Sequence, residues 1–136
     1  MPESDLRVLI EAAGAAGDVA RRFDGPSAKL WHKPDDAGPV TEADLAVNKL
    51  LHQRLTQARP DYGWLSEETE DGATRLQTQR AFVIDPIDGT SNYVSGRPEF
   101  AVMISLLQRG ITLMGWIYNP ISNASLRAEQ GEGAWT

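Results

Sequence analysis

Two apolar stretches of strand length, PEFAVMISLLQ at 98–108 and ITLMGWIY at 111–118, flank the dipeptide Arg109-Gly110. Joined so closely, they read as an antiparallel hairpin. The uncharged run from Phe100 to Leu107 is far shorter than the ~20 residues of a membrane helix, which leaves it as a strand. Asn119-Pro120 then turns the chain, and ASLRAEQGEGAW reads as a further hairpin around Gly131 and Gly133. Upstream the period changes. Within 4–23, Leu6, Leu9, Ile10, Ala13, Ala20 and Phe23 recur at helical spacing behind Ser4, a suitable N-cap. Gly14 and Gly17 lower helix propensity there but leave room for another element to pack closely. A second helix is expected from Thr41 to about Ala58, with Val47, Leu50, Leu51, Leu55 and Ala58 on one face and Pro60-Asp61 as its stop. The proline- and glycine-rich 24–40 reads as an irregular connection, YGWLSEE at 62–68 as a short strand, and the polar 69–79 as a surface loop. Two N-terminal helices followed by mainly antiparallel strands give an α+β fold, helices layered on a sheet, and 136 residues suffice for one domain.

Between those regions, AFVIDPIDGTSNY at 81–93 carries more charge than a core strand needs. The buried-strand run Ala81 to Ile84 passes directly into Asp85 and Asp88. Pro86 holds Asp85 in an extended conformation, and Gly89 permits both a sharp bend and the close approach of a ligand. If Thr90, Ser91 and Asn92 begin a helix, their N–H groups form an anion site beside the two carboxylates. Carboxylates flanking an anion make electrostatic sense with cations between them. Oxygen donors favour Mg²⁺, with Mn²⁺ as an alternative, over Zn²⁺. A calcium EF-hand is excluded by counting: with Gly89 at the sixth loop position, Ile84 and Ser95 fall where the motif requires Asp and Glu. No Walker A loop occurs.

Asp44, Glu67 and Glu68 also fall at element ends, where functional groups are commonly mounted. Taken alone, Asp44 is the acid of a capping box with Thr41, and the two glutamates are solvated loop charges. Lys33 alone reads as an ordinary exposed lysine, and His32 and His52 lack any metal-ligand spacing. The net charge of -6, from 19 acidic and 13 basic residues without a basic cluster, argues against a nucleic-acid polymer as partner. An acidic chain still binds a small anion once cations neutralise its carboxylates. The absence of cysteine excludes disulfides, thiolate metal sites and thiol nucleophiles. MPESDLRVLIEAAG lacks the basic-then-apolar pattern of a secretory signal, so a cytoplasmic location with no membrane partner is expected.

DPIDGTSNY resembles the D-P-[IL]-D-G-T-x-N-[FY] signature of the inositol monophosphatase superfamily. KPDDAGPVTEADLAVNKLL is similar to that family's Lys…Val-Thr-x-x-Asp segment, and WLSEE to its Gly/Ser-Glu-Glu segment. A GWIYNP strand and a GEGAW hairpin follow in the right order. The resemblance implies a Mg²⁺-dependent phosphomonoesterase with two or three ions in a complete site, hydrolysing its ester by metal-activated water. It implies that Glu67, Asp85 and the carbonyl of Ile87 hold one metal and that Asp85 and Asp88 hold a second. Asp44 and Thr90 would orient and deprotonate the water, and the N–H groups of Gly89, Thr90 and Ser91 would hold phosphate oxygens. Glu68 is a candidate for a further ion, and Lys33 matches a family lysine near the metal-site loop.

The same resemblance covers only the family's N-terminal half. Its second part, with a Trp-Asp-x-Ala-Ala-Gly-type segment supplying another metal ligand and most substrate contacts, has no counterpart within 1–136. Residues 1–136 are therefore expected to be the N-terminal metal-binding domain, a fragment with little or no activity alone. The strands that finish at GEGAWT, leaving an open sheet edge, suggest the same. The implied partner is a small phosphorylated substrate: an inositol phosphate, a sugar phosphate or, from PVTEADLA with GWLSEETED, a 3′(2′),5′-bisphosphate nucleotide. A non-catalytic metal- or anion-binding fragment is the other reading, and homodimerisation is common among such relatives.

Overall fold

The computed structural model describes residues 4–34, 38–66, 68 and 78–136. Helix α1 runs Asp5–Arg22. Its N-cap is Ser4, whose hydroxyl accepts the Arg7 N–H at 3.2 Å, satisfying one of the donors that a helix start leaves over. The expected helix is confirmed, but its inner face is rotated. Val8, Leu9, Ala12, Ala13, Ala16, Gly17 and Ala20 are buried, whereas Leu6 and Ile10 are only half-buried. Small side chains at i, i+4 spacing let the helix axis approach its neighbours, and the larger residues flank that contact. Gly17 shows how close the approach is: a β-carbon there would lie 2.7 Å from Tyr118 Cε2. Gly14 has nothing within 4 Å and serves no such purpose.

Helix α2, Glu42–Ala58, starts from a full capping box: Thr41 caps the helix and Asp44 reaches back to it. It buries Ala43, Asp44, Val47, Leu51 and Leu55. Full burial of Leu51 and Leu55 contributes about 2 kcal/mol each.

The described parts of 24–40, residues 24–34 and 38–40, are more ordered than expected. They hold a one-turn 3-10 helix, Gly25–Ser27, and strands β1, Leu30–His32, and β2, Pro39–Thr41. These two strands pair antiparallel, with Trp31 opposite Val40. Proline is tolerated because Pro26 sits at the start of the 3-10 helix and Pro39 at the first position of its strand. The main sheet contains β3 (Gly63–Ser66), β4 (Arg80–Asp88), β5 (Ala101–Gln108), β6 (Ile111–Tyr118), β7 (Ser125–Glu129) and β8 (Gly133–Trp135), side by side in that order. All neighbours are antiparallel except β3 and β4, which run parallel. Arg109 and Gly110 turn β5 into β6 with φ of 51° and 81°, as a tight hairpin requires. Of the loop expected at 69–79, residues 69–77 lie outside the described residues.

Alternation places Phe82, Ile84, Val102, Ile104 and Leu106 in the core. There α1 packs on β5 and β6, and α2 packs on β4. At the amino end of β4 the layers are pinned by one acid. Asp5 accepts from Arg59 Nε at 2.8 Å, Arg80 Nη1 at 2.6 Å and the Tyr62 hydroxyl at 3.1 Å. Among the described residues no helix is long and apolar enough to cross a membrane.

Candidate active site

The parallel pairing of β3 with β4 decides where the acids go. Ser66, the last residue of β3, lies opposite Ile84, so the carboxyl ends of both strands emerge at the same edge of the sheet. Antiparallel pairing would have sent WLSEE and IDPID to opposite edges.

The sequence suggests that β4 ends at Ile84, but the strand continues through Asp88. Pro86 has no N–H for the ladder, and the register shifts around it. Asp85 faces Met103 and Asp88 faces Ala101. Such a bulge places one extra residue on β4, so two aspartates three apart in sequence are matched to residues two apart on β5. Asp85 is half-buried and Asp88 exposed. Gly89 then bends the chain with φ of 93°. A side chain there would be strained in two ways, since a β-carbon would also meet the Glu99 carbonyl oxygen at 2.9 Å. The expected helix follows as α3, Thr90–Val94. Its first backbone bond runs from Tyr93 N–H to the Gly89 carbonyl at 3.0 Å, so the N–H groups of Thr90, Ser91 and Asn92 precede it.

Asp44 is 1% exposed, and its two oxygens have different tasks. Oδ2 accepts from the Thr41 N–H at 2.8 Å and the Thr41 hydroxyl at 2.6 Å. Oδ1 accepts the Thr90 hydroxyl at 2.9 Å. The capping reading and the site reading of Asp44 therefore describe the same residue. Thr90 Oγ1 also lies 3.1 Å from the Ile87 carbonyl oxygen, so a single hydroxyl hydrogen has two acceptors. Behind this corner Tyr93 donates its hydroxyl to the Ala20 carbonyl at 3.0 Å. Burial, followed by the negative charge of Asp44, pushes its phenol up to about 12.

Lys33 and Glu68 are not the solvated charges that each residue alone suggests. Lys33 Nζ lies 2.8 Å from Glu68 Oε1, and the Glu68 side chain is 7% exposed. Glu67 lies outside the described residues. Among the described residues no group of three or more His, Asp or Glu side chains is gathered closely enough to hold a metal ion. His32 is exposed, and His52 packs edge-on against Trp64 at 4.9 Å.

Sequence reasoning missed two residues. The buried Ser66 hydroxyl donates to Asn48 Oδ1 at 2.5 Å and accepts the Glu68 N–H at 3.2 Å. Asn48 stands one turn beyond Asp44 on α2, and that i, i+4 spacing was the available signal.

The model of the inositol monophosphatase family matches residues 1–136. An inositol-1-monophosphatase from Caulobacter vibrioides is 39% identical over 131 residues, covering 93% of this chain and 50% of the relative. A histidinol-phosphatase from Mycobacterium tuberculosis is 37% identical over 136 residues, covering 99% and 51%. Relatives at comparable identity include 3′(2′),5′-bisphosphate nucleotidases. The extragenic suppressor protein SuhB from Bartonella henselae superposes with a TM-score of 0.87 at 37% identity, covering 96% of this chain and 50% of that one. The chain thus spans about half the length of the curated relatives it matches. With its whole length matched by the family model and its fold shared, the chain belongs to the inositol monophosphatase family.

Proposed function

We propose that residues 1–136 form the N-terminal metal-binding half of a Mg²⁺-dependent phosphomonoesterase, with an inositol monophosphate as leading substrate. The observation that carries this reading is the Thr90–Asp44 bond. It ties the start of α2 to the corner just beyond Asp85 and Asp88, so acids distant in sequence share one edge of the sheet. The donors at that edge, the Asp85 and Asp88 carboxylates and the Ile87 carbonyl, are hard oxygens of the kind Mg²⁺ takes. In this reading Glu67, Asp85 and the Ile87 carbonyl would hold one ion, and Asp85 and Asp88 would hold a second. When bound, the ions supply positive charge against the phosphate and lower the pKa of water.

The chain's own residues do the rest. Thr90, with its hydrogen given to Asp44, presents an oxygen that accepts a hydrogen from a water and so orients it. As the water's proton passes to Thr90 Oγ1, the Thr90 hydroxyl proton would pass to Asp44, which Thr41 anchors. The N–H groups of Gly89, Thr90 and Ser91 face the phosphate oxygens. Phosphoryl transfer depends chiefly on such positioning and charge stabilisation, which suits a chain without cysteine.

Calorimetric titration with Mg²⁺, with and without inorganic phosphate, tests this reading. Mg²⁺ affinity should rise when phosphate is present, and the absence of any Mg²⁺ binding would sink it. The substrate is tested on a version extended to the relatives' full length by comparing myo-inositol 1-phosphate with adenosine 3′,5′-bisphosphate. The latter is the second reading, favoured by PVTEADLA and GWLSEETED. Because the relatives are about twice as long, the 136-residue chain alone is expected to give little turnover on a panel of phosphomonoesters.

A further inference from the structure

We propose that Asn48 and Ser66 are a positioning pair that fixes where the acidic end of β3 meets the end of β4. The inference rests on the metal-site reading above and adds residues which that reading does not use. Strand β3 is four residues long and, among the described residues, lies at the edge of the sheet with β4 as its one strand partner. A short edge strand has few backbone bonds to hold its end. Its last residue is fastened from the opposite side instead: the Ser66 hydroxyl, in a residue 3% exposed, donates to Asn48 Oδ1 at 2.5 Å. The Ser66 hydroxyl oxygen also accepts the Glu68 N–H at 3.2 Å, which ties Glu68 to the end of the strand.

The pair lies in register with the site. Asn48 is one turn along α2 from Asp44, so both project from the same side of the helix. Asp44 holds the corner after β4 through Thr90, and Asn48 holds the end of β3 through Ser66. One rigid helix thereby gauges both strand ends, and Ser66 itself lies opposite the residue before Asp85. Beyond the strand, Glu68 is tied by Lys33 to the β1–β2 hairpin at 2.8 Å, which holds the exit from its other side. Groups that orient metal ligands from behind typically change metal affinity by about 10–100-fold when removed.

The test is Mn²⁺ binding to the 136-residue chain, followed by electron paramagnetic resonance, with thermal unfolding recorded for every variant. Ser66→Ala and Asn48→Ala should each weaken Mn²⁺ by about tenfold. The double variant should lose less than the two single losses combined, because both remove the Ser66–Asn48 bond. Ser66→Thr, which keeps the hydroxyl, should restore binding. Arg80→Gln is the control for general destabilisation: it loosens the opposite end of β4 and should lower the melting temperature with Mn²⁺ affinity unchanged. If the wild type binds Mn²⁺ and Ser66→Ala binds it equally well, the positioning role is wrong and the metal site stands. An equal loss in Arg80→Gln would likewise overturn the role. Failure of the wild type to bind Mn²⁺ would overturn the metal-site reading and this inference together.

Discussion

The two ends of β4 both gather acid, and they treat it differently. At the amino end a single carboxylate, Asp5, is met by Arg59, Arg80 and the Tyr62 hydroxyl. Each guanidinium is held above its ordinary value, Arg59 by its bond to Asp5 and Arg80 by its bond to Tyr62. At the carboxyl end Asp85 and Asp88 lie just before the corner that Thr90 ties to Asp44, and after β3 Lys33 engages Glu68. A cluster with more cations than acids is a fastening between layers. Acids brought near one another carry repulsion that a bound cation relieves. In the proposed reading the same strand keeps a structural fastening and a metal site apart by its length, about 25 Å from end to end.

Substitutions at matched acids test that separation most directly. Asp85→Asn should reduce Mg²⁺ or Mn²⁺ affinity by about 100-fold, measured by calorimetry. In Asp5→Asn, stability should fall by about 2 kcal/mol, between the values for exposed and buried ion pairs, and metal affinity should stay as it was. If Asp5→Asn also abolished metal binding, the two ends would be coupled and the contrast would fail.

Gly89→Ala comes next in size. The positive φ and the Glu99 carbonyl at 2.9 Å predict a loss of about 2 kcal/mol in chemical denaturation. Asp44→Asn should cost about 1 kcal/mol through the weakened capping box. In backbone amide spectra its perturbation should extend to Thr90 and leave Arg80 untouched.

The smallest effect concerns pH. The Tyr93 phenol titrates higher in the folded chain, at about 12 against an ordinary 10. Its contribution is therefore complete below pH 10 and is lost as the pH rises through about 12, because the unfolded chain gives up its proton first. Tyr93→Phe should be less stable near neutral pH by about 1 kcal/mol, having lost the bond to Ala20. It should also fall less steeply above pH 10 than the wild type does.

Much of this was legible from local sequence. Asp85, Asp88, Gly89 and Thr90 lie within one short segment, and the roles of Pro86 and Gly89 follow from backbone chemistry alone. Helix α2 announced itself through Thr41, Asp44 and its leucines. The face of α1 was harder to place, because alanine and glycine carry little hydrophobic signal even where, as at Gly17, they permit a close contact in the packing. The signal for Asn48 and Ser66, the i, i+4 spacing of Asn48 from Asp44, was faint for another reason. Each is unremarkable in its own segment, and their meeting depends on β3 running parallel to β4, a pairing that no periodicity encodes. The extension of β4 through Pro86 was likewise hidden, since proline signals a strand end unless a bulge accommodates it.

The hydroxyl of Thr90 has one hydrogen and two oxygens competing for it. Whatever occupies the lone pairs of the Ile87 carbonyl withdraws that oxygen from the contest and turns the hydrogen towards Asp44. Loading one side of the corner therefore sets the polarity of the other by rotation about a single bond, while the backbone stays still.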